Sequence, residues 1–261
     1  MKTTSLGFIG GGRITKIFLQ AFANKKVEFK SVIVFDTNID VMGALKKRFP
    51  HIVVAETPEQ AAKQSTVFIA LHPPMIMESL GKIAESVSAD AMVISLAPKI
   101  TIEKIASELK TPNIVRMIPN ATSYINEGYN PVTISEGFAE NDKLHLMEIL
   151  KLLGNTFEVA EHKLEAYAML SAMLPTYFWF QWKELIGMGD QMGLTEEESN
   201  VAVQQTLQAA VNLYFESGLL PDQVIDLIPV KPIGEHEGQI IEIYQTRLMG
   251  LLEKIKPTQT H

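Results

Sequence analysis

The chain contains no cysteine. That excludes a thiol nucleophile, a disulfide staple and a cysteine-ligated metal centre, and it fits a reducing intracellular compartment. The histidines at 51, 72, 145 and 162 show no i, i+4 pairing, and Glu235-His236-Glu237 by itself does not make a ligand set, so no metal is expected. A basic stripe is also missing: the formal net charge is −7, and nothing in the sequence is arranged to neutralise a run of phosphates, so no nucleic-acid partner is expected. Nor is there a membrane span. The most apolar stretch, Tyr167 to Trp182, is interrupted by Pro175, Thr176 and Gln181 and is shorter than the ~20 residues a span requires. The first residues run straight into an apolar strand pattern without a leader-like segment, and a cytoplasmic location is expected.

What is present begins at that strand. Leu6-Gly7-Phe8-Ile9 runs into Gly10-Gly11-Gly12-Arg13-Ile14-Thr15, where an apolar run gives way to glycines and then to helical periodicity through Ile14, Ile17, Phe18 and Phe22. A strand that turns tightly into a helix offers free backbone N–H groups, and the helix dipole adds partial positive charge, so a pyrophosphate binds there without a lysine. Gly10 permits the turn and Gly12 lets the backbone approach a phosphate, while Thr15 occupies the third small position of the G-x-G-x-x-G/A pattern. The next apolar run, Ser31 to Phe35, ends in Asp36, at the distance from the glycines where a carboxylate receives ribose hydroxyls. Its charge favours NAD, whereas Thr37, Asn38 and Lys46 or Lys47 offer a place for the extra phosphate of NADP, so the cofactor is read as NAD or NADP.

The 261 residues, 46% of them hydrophobic, suffice for a substantial core divided into two domains. Helical periodicity over Ile39 to Phe49 and short β-branched runs at Ile52-Val54, Val67-Leu71, Met92-Leu96 and Ile114-Met117 alternate, which implies a doubly wound parallel sheet with helices on both faces. Thr57-Pro58-Glu59 and Thr101-Ile102-Glu103 read as helix starts. Later strands are expected at Val132-Ser135 and Thr156-Val159, around a helix from Asn141 to Leu153. The dinucleotide-binding domain is therefore placed at residues 1–160. Residues 161–261 carry almost no strand signal; helices are expected over Leu164-Gln191, Thr195-Ser217, Pro221-Leu227 and Gly238-Lys254. The first of these is apolar around most of its circumference and needs partners on several sides, which points to a homodimer with interlocked helices and leaves further assembly open.

Several segments together resemble the pyrroline-5-carboxylate reductase family. Val115-Arg116-Met117-Ile118-Pro119-Asn120-Ala121 is similar to its V-R-x-M-P-N-T segment, and Pro175-Thr176-Tyr177 to its P-A-Y. Gly193-Leu194 with Glu196-Glu197 resembles G-L-x-x-E; Gln205-Thr206 with Ala209-Ala210 resembles Q-T-x-x-G-A-A; Glu216-Ser217-Gly218 with Pro221 resembles E-S-G-x-x-P. The resemblance implies a Rossmann domain followed by an all-helical dimerisation domain, and hydride transfer from NAD(P)H to a small-molecule cyclic imine, as in proline biosynthesis. Cofactor contacts are expected from Gly10, Gly12, Arg13, Ile14, Asp36, Thr37, Leu71, His72, Pro73 and Asn120, around the glycine turn and the strand ends. Leu71-His72-Pro73 stands where the family has Val-Lys-Pro, and Ala172-Met173-Leu174 replaces its small residues before P-A-Y.

A larger departure concerns the substrate loop. Between Asp226 and Gly238 the family carries S-P-G-G-T-T, whose hydroxyls and amides hold the substrate carboxylate and help deliver a proton; here the interval reads Val230-Lys231-Pro232-Ile233-Gly234-Glu235-His236, without serine or threonine. Reduction of C=N needs a proton on nitrogen as well as hydride on carbon. His236 or Glu235 is a candidate donor, and Lys231 a candidate partner for a carboxylate. The competing reading makes the three a polar helix entry, with Glu235 favoured near the N-terminus. Two other functions share the N-terminal fold: a β-hydroxyacid dehydrogenase or deazaflavin-dependent NADP reductase, the former requiring a catalytic lysine for which Lys183 is available, and a catalytically silent dinucleotide-binding protein.

Overall fold

The structure is a computed structural model describing residue 1 and residues 3–257. In chain order, β1 (Ser5–Ile9), α1 (Arg13–Asn24), β2 (Ser31–Phe35), α2 (Ile39–Arg48), β3 (Val53–Val54), α3 (Pro58–Ala62) and β4 (Thr66–Ile69) form the first half of the sheet domain. The second half comprises α4 (Pro73–Ile83), β5 (Met92–Ser95), α5 (Ile102–Ala106), β6 (Ile114–Met117), β7 (Gly128–Ile134), α6 (Glu140–Lys151) and β8 (Gly154–Glu158). The strands make one sheet in the order β3-β2-β1-β4-β5-β6-β7-β8. Strand order reverses between β1 and β4, and at such a switch the loops leaving the two strands part to opposite sides and open a crevice.

Alternation along the strands divides the core into two layers. Leu6 and Phe8 of β1, with Phe68 and Ile94, pack against α1, α2 and α6 through Phe18, Phe22, Met42, Leu45 and Ile149; Ile9, Val67, Ile69 and Val93 pack on the other face against Ile76, Leu80 and Ile83 of α4 and Ile105 of α5. The Phe8 and Phe68 rings stack at 4.8 Å, and Phe18 meets Phe68 edge-on at 5.6 Å. Emptying either ring site by substitution to alanine would cost about 3–5 kcal/mol. Gly7 sits where α3 crosses β1: a Cβ there would lie 1.9 Å from the Ala61 carbonyl oxygen.

The sequence pattern implies a parallel sheet, and the structure departs from that at one pair of strands. β7 runs antiparallel to β6, and β8 then pairs parallel to β7, from Gly128 opposite Gly154 to Val132 opposite Glu158. β7 also begins four positions before the expected Val132, at a glycine whose missing side chain admits the Ser123 hydroxyl and the Asn130 amide.

Two compact units divide the described residues, one of residues within 1–172 with residues 252–257, the other Met173–Leu251. The first runs past the expected end near Ala160. Its reason is electrostatic as well as apolar: Arg116 of β6 pairs with Glu161 and Glu165, while Leu164 and Ala168 pack on Ile118. Glu165 and Leu164 belong to α7 (Leu164–Tyr167), which a π-turn at Ala168–Ala172 ends.

The second unit contains α8 (Leu174–Met188), α9 (Glu196–Glu216), α10 (Pro221–Asp226), α11 (Glu237–Ile243) and a π-turn at Tyr244–Leu248 that leads into α12 (Met249–Ile255). Thus helices expected to be continuous are interrupted. α9 opens on a capping box in which the Thr195 hydroxyl accepts the Glu198 N–H and the Glu198 carboxylate accepts the Thr195 N–H. Gly189 and Ser199 alone are buried among this unit's described residues, at a crossing where a Cβ on Gly189 would meet the Ser199 hydroxyl at 1.8 Å. Phe180, Phe215, Leu220, Ile228 and Val230 are all largely exposed. No helix among the described residues is long and apolar enough to cross a membrane, and no cluster of three metal-ligating side chains occurs among them.

Candidate cofactor site

The glycine turn follows β1 at the strand-order switch. Gly10 has φ +103°, its N–H donates to the Phe35 carbonyl at 2.8 Å, and a Cβ on it would fall 2.3 Å from the Ala70 carbonyl oxygen, so only glycine fits. Gly12, the N-cap residue of α1, is different: a Cβ there would meet no protein atom within 4 Å. No packing within the described residues requires a glycine at that point. Thr15 is fully buried, and its hydroxyl donates to the Gly10 carbonyl at 2.5 Å. The side chain at the third small position therefore pins the turn it would otherwise crowd.

A cavity of about 1080 Å³ opens here. Its walls come from the glycine turn and α1 (Gly11 to Ile14 and Lys16), from α2 (Val41, Ala44, Leu45, Lys47 and Arg48), and from the ends of β4 and β5 (Ala70 to Pro73 and Leu96 to Pro98). The α2 residues Val41, Ala44, Leu45 and Arg48 follow helical spacing, i, i+3, i+4 and i+7, which presents them on one face. Four cations line the cavity, Arg13, Lys16, Lys47 and Arg48, with no aspartate or glutamate. Arg48 is tethered: it donates to Gln20 Oε1 at 2.7 Å and to the Tyr124 hydroxyl, and lies over the Tyr124 ring. Arg13, Lys16 and Lys47 form no ion pair among the described residues.

Of the residues singled out in the sequence, Gly12, Arg13, Ile14, Leu71, His72 and Pro73 line this cavity together, and Gly10 shapes the turn behind it. His72 caps α4, whose first two positions are the prolines Pro73 and Pro74 and so offer no N–H; the free amides at the site come from α1. Asp36 stands apart from the lining. Its Oδ2 accepts the Gly11 N–H at 2.7 Å and its Oδ1 the Asn38 N–H at 2.8 Å, which ties the end of β2 to the glycine turn. Thr37 is exposed beside it. Between the two lysines left open by the sequence, the structure distinguishes: Lys46 Nζ donates to the carbonyls of Pro50 and Ile52 and closes the end of α2, while Lys47 faces the cavity.

Asn120 is buried and engaged. Its Oδ1 accepts from the Thr122 N–H and hydroxyl, and its Nδ2 donates to the Ser171 hydroxyl at 3.1 Å. Lys231, Glu235 and His236 lie in the second unit, all exposed; His236 Nδ1 is 3.3 Å from Gln239 Oε1 and its Nε2 is 3.5 Å from Glu235 Oε1. Sequence reasoning missed Lys16, Arg48 and the Leu96–Pro98 segment as wall residues. For Arg48 the helical spacing from Val41 was available as a signal; for the loop after β5, only the position at a strand's C-terminal end was.

That loop has one further feature. Lys99 adopts φ +77°, a conformation costing a side-chain-bearing residue roughly 1–2 kcal/mol. Its N–H donates to Glu165 Oε1 at 3.1 Å, the same oxygen that Arg116 holds at 2.6 Å, and Glu161 Oε1 accepts the Ile102 N–H at 2.8 Å. Arg116 is 1% exposed, and breaking such a buried pair costs about 3–5 kcal/mol.

Residues 5–99 match the family described as NADP oxidoreductase, coenzyme F420-dependent. Over 251 residues the chain is 22% identical to the pyrroline-5-carboxylate reductase of Corynebacterium melassecola, covering 95% of this chain and 93% of that one. It resembles the pyrroline-5-carboxylate reductases over nearly its whole length. The enzyme of the same name from Escherichia coli is 24% identical over 226 residues, 85% of this chain and 84% of its own. Among solved structures, a Plasmodium falciparum pyrroline carboxylate reductase with NADP bound superposes with a TM-score of 0.77 at 21% identity, covering 98% of this chain and 96% of that one. The shared fold is a Rossmann domain followed by a helical domain.

Proposed function

We propose that the protein is a reductase that uses NADPH to reduce a C=N bond in a small cyclic imine such as 1-pyrroline-5-carboxylate, working as a homodimer. The observation that carries this reading is the cavity at the sheet's switch point, with Gly12 open towards it, four cations in its wall and no carboxylate. The likeness to enzymes of that name supports the choice of reaction.

The residues present fit a dinucleotide. The amides at the start of α1 and the bare Cα of Gly12 hold the pyrophosphate, Lys47 with Arg13 or Lys16 takes the 2′-phosphate, and Leu71 to Pro73 with Leu96 to Pro98 border the nicotinamide half. When bound, the reduced nicotinamide supplies a hydride to the imine carbon and leaves as the oxidised ring. The C=N π pair then settles on nitrogen, and the protein must provide one proton there. His236 is assigned that proton, with the Glu235 carboxylate 3.5 Å from its Nε2. The helical unit's exposed apolar side chains are assigned to the interface with a second copy, because so little of that unit is buried in one chain.

Two measurements test this. Fluorescence titration should show NADPH binding more tightly than NADH, by about tenfold. His236→Ala should retain cofactor binding and lose imine turnover by two orders of magnitude or more, the range expected for removal of a general acid. Full turnover in that variant would refute the assignment of the proton.

A further inference from the structure

The buried Arg116–Glu161–Glu165 cluster uses its carboxylates on backbone amides of a single loop, the one leaving β5. Glu165 holds Lys99 N–H and Glu161 holds Ile102 N–H, so two ion-paired carboxylates brace the segment between them. Within that segment Lys99 takes the left-handed conformation without being glycine. Strain of this kind persists where surrounding structure over-determines it, and it concentrates at active sites, ligand clamps and switch regions. Lys99 follows directly on Leu96, Ala97 and Pro98, which form the cavity wall at the β5 end. Its side chain is exposed and makes no ion pair among the described residues.

The dinucleotide's orientation gives this position its meaning. Adenosine lies on the β2–α2 side of the glycine turn in a doubly wound sheet, and nicotinamide on the β4–β5 side. Lys99 is therefore the first charged residue beyond the wall that borders the reacting ring. We propose that Lys99 binds the carboxylate of the acceptor, and that Arg116, Glu161 and Glu165 are positioning residues for it. This rests on the reductase reading above and refines it. It also gives Lys99 the role for which Lys231 was the candidate from the sequence.

The test compares 1-pyrroline-5-carboxylate with 1-pyrroline as acceptors of hydride from NADPH, in the wild type and in Lys99→Met, Lys99→Gly and Lys231→Met. A parallel readout without turnover compares proline with pyrrolidine as ligands of the protein–NADP⁺ complex. The wild type should favour the carboxylated member of each pair by about tenfold or more, as a charge-assisted hydrogen bond provides. Both Lys99 variants should lose that preference, chiefly in KM, and Lys231→Met should keep it. Lys99→Gly is informative because glycine is at ease at this φ: the variant should melt no lower than the wild type, so loss of preference in it is not a folding defect. Retention of the preference in Lys99→Gly, its loss only in Lys231→Met, or its absence from the wild type in both readouts would overturn the proposal. Proline binding that depends on Lys99, with neither imine reduced, would keep the site and reject the C=N reaction.

Discussion

Asp36 accepts the Gly11 N–H at 2.7 Å, and this bond joins the end of β2 to the glycine turn. A carboxylate so placed acts on the shape of the turn, whichever dinucleotide enters. Asp36→Ala should therefore weaken NADH and NADPH together, each by about tenfold, the loss of one charge-assisted hydrogen bond. A titration in which NADH alone weakens would instead assign Asp36 to the ribose hydroxyls.

Gly10 and Gly12 are separated by one residue and should respond oppositely to alanine. At Gly10 the backbone is left-handed and the Ala70 carbonyl occupies the Cβ position, so Gly10→Ala should destabilise the fold by about 2 kcal/mol or more. Gly12→Ala meets nothing, and its denaturation midpoint should match the wild type within about 0.5 kcal/mol. Its cofactor affinity should fall by about tenfold or more, because the methyl group occupies ligand space. Denaturant melts and cofactor titrations on the two variants separate these effects.

Lys47 tests the electrostatics of the cavity. Reversing it, Lys47→Glu, should reduce NADPH affinity by at least about tenfold while altering NADH much less, and the wild type's advantage for NADPH should shrink as salt is raised. Equal losses for both cofactors would place the 2′-phosphate elsewhere.

Acid should loosen the start of α9 selectively. Glu198 is held below its ordinary value of 4.5, first by the Thr195 N–H and then by the Thr195 hydroxyl, both bonded to its ionised form. A folded pKa lowered in this way gives a contribution that is complete above about 4.5 and lost as pH falls through the lower folded value. Amide exchange at the first turn of α9 should rise over that acid window in the wild type, and Glu198→Gln should remove the pH dependence.

The legibility of the sequence varied with how local the cause was. β1, the glycine turn, α1 and Asp36 follow one another within a few dozen residues, and each has a backbone signature, so strand, turn, helix and acid could be read in order. The helix starts at Thr101 and Thr195 were equally local. The antiparallel β7 was not, because its direction depends on pairing with β6 rather than on its own pattern. The ion pairs from Arg116 to Glu161 and Glu165 extend the sheet unit past Ala160, and no periodicity joins residues so far apart in the chain. Lys99 has the least visible role: a lysine after Ala97-Pro98 reads as a surface residue until Glu165 is seen holding its N–H. Similarly, Lys46 and Lys47 are indistinguishable as neighbours, and only the course of the α2 C-terminus separates a helix-capping cation from a cavity cation.

The proposed reaction needs the cavity at the glycine turn to hold a nicotinamide cofactor for reduction of a C=N bond. It is tested most directly by mixing the purified protein with NADPH and 1-pyrroline-5-carboxylate and following the absorbance of the reduced nicotinamide, with cofactor binding measured on the same sample. NADPH should be oxidised only when the imine is present, and faster than NADH. Tight cofactor binding with no imine-dependent oxidation would contradict it and favour a protein that binds the dinucleotide without reducing an imine.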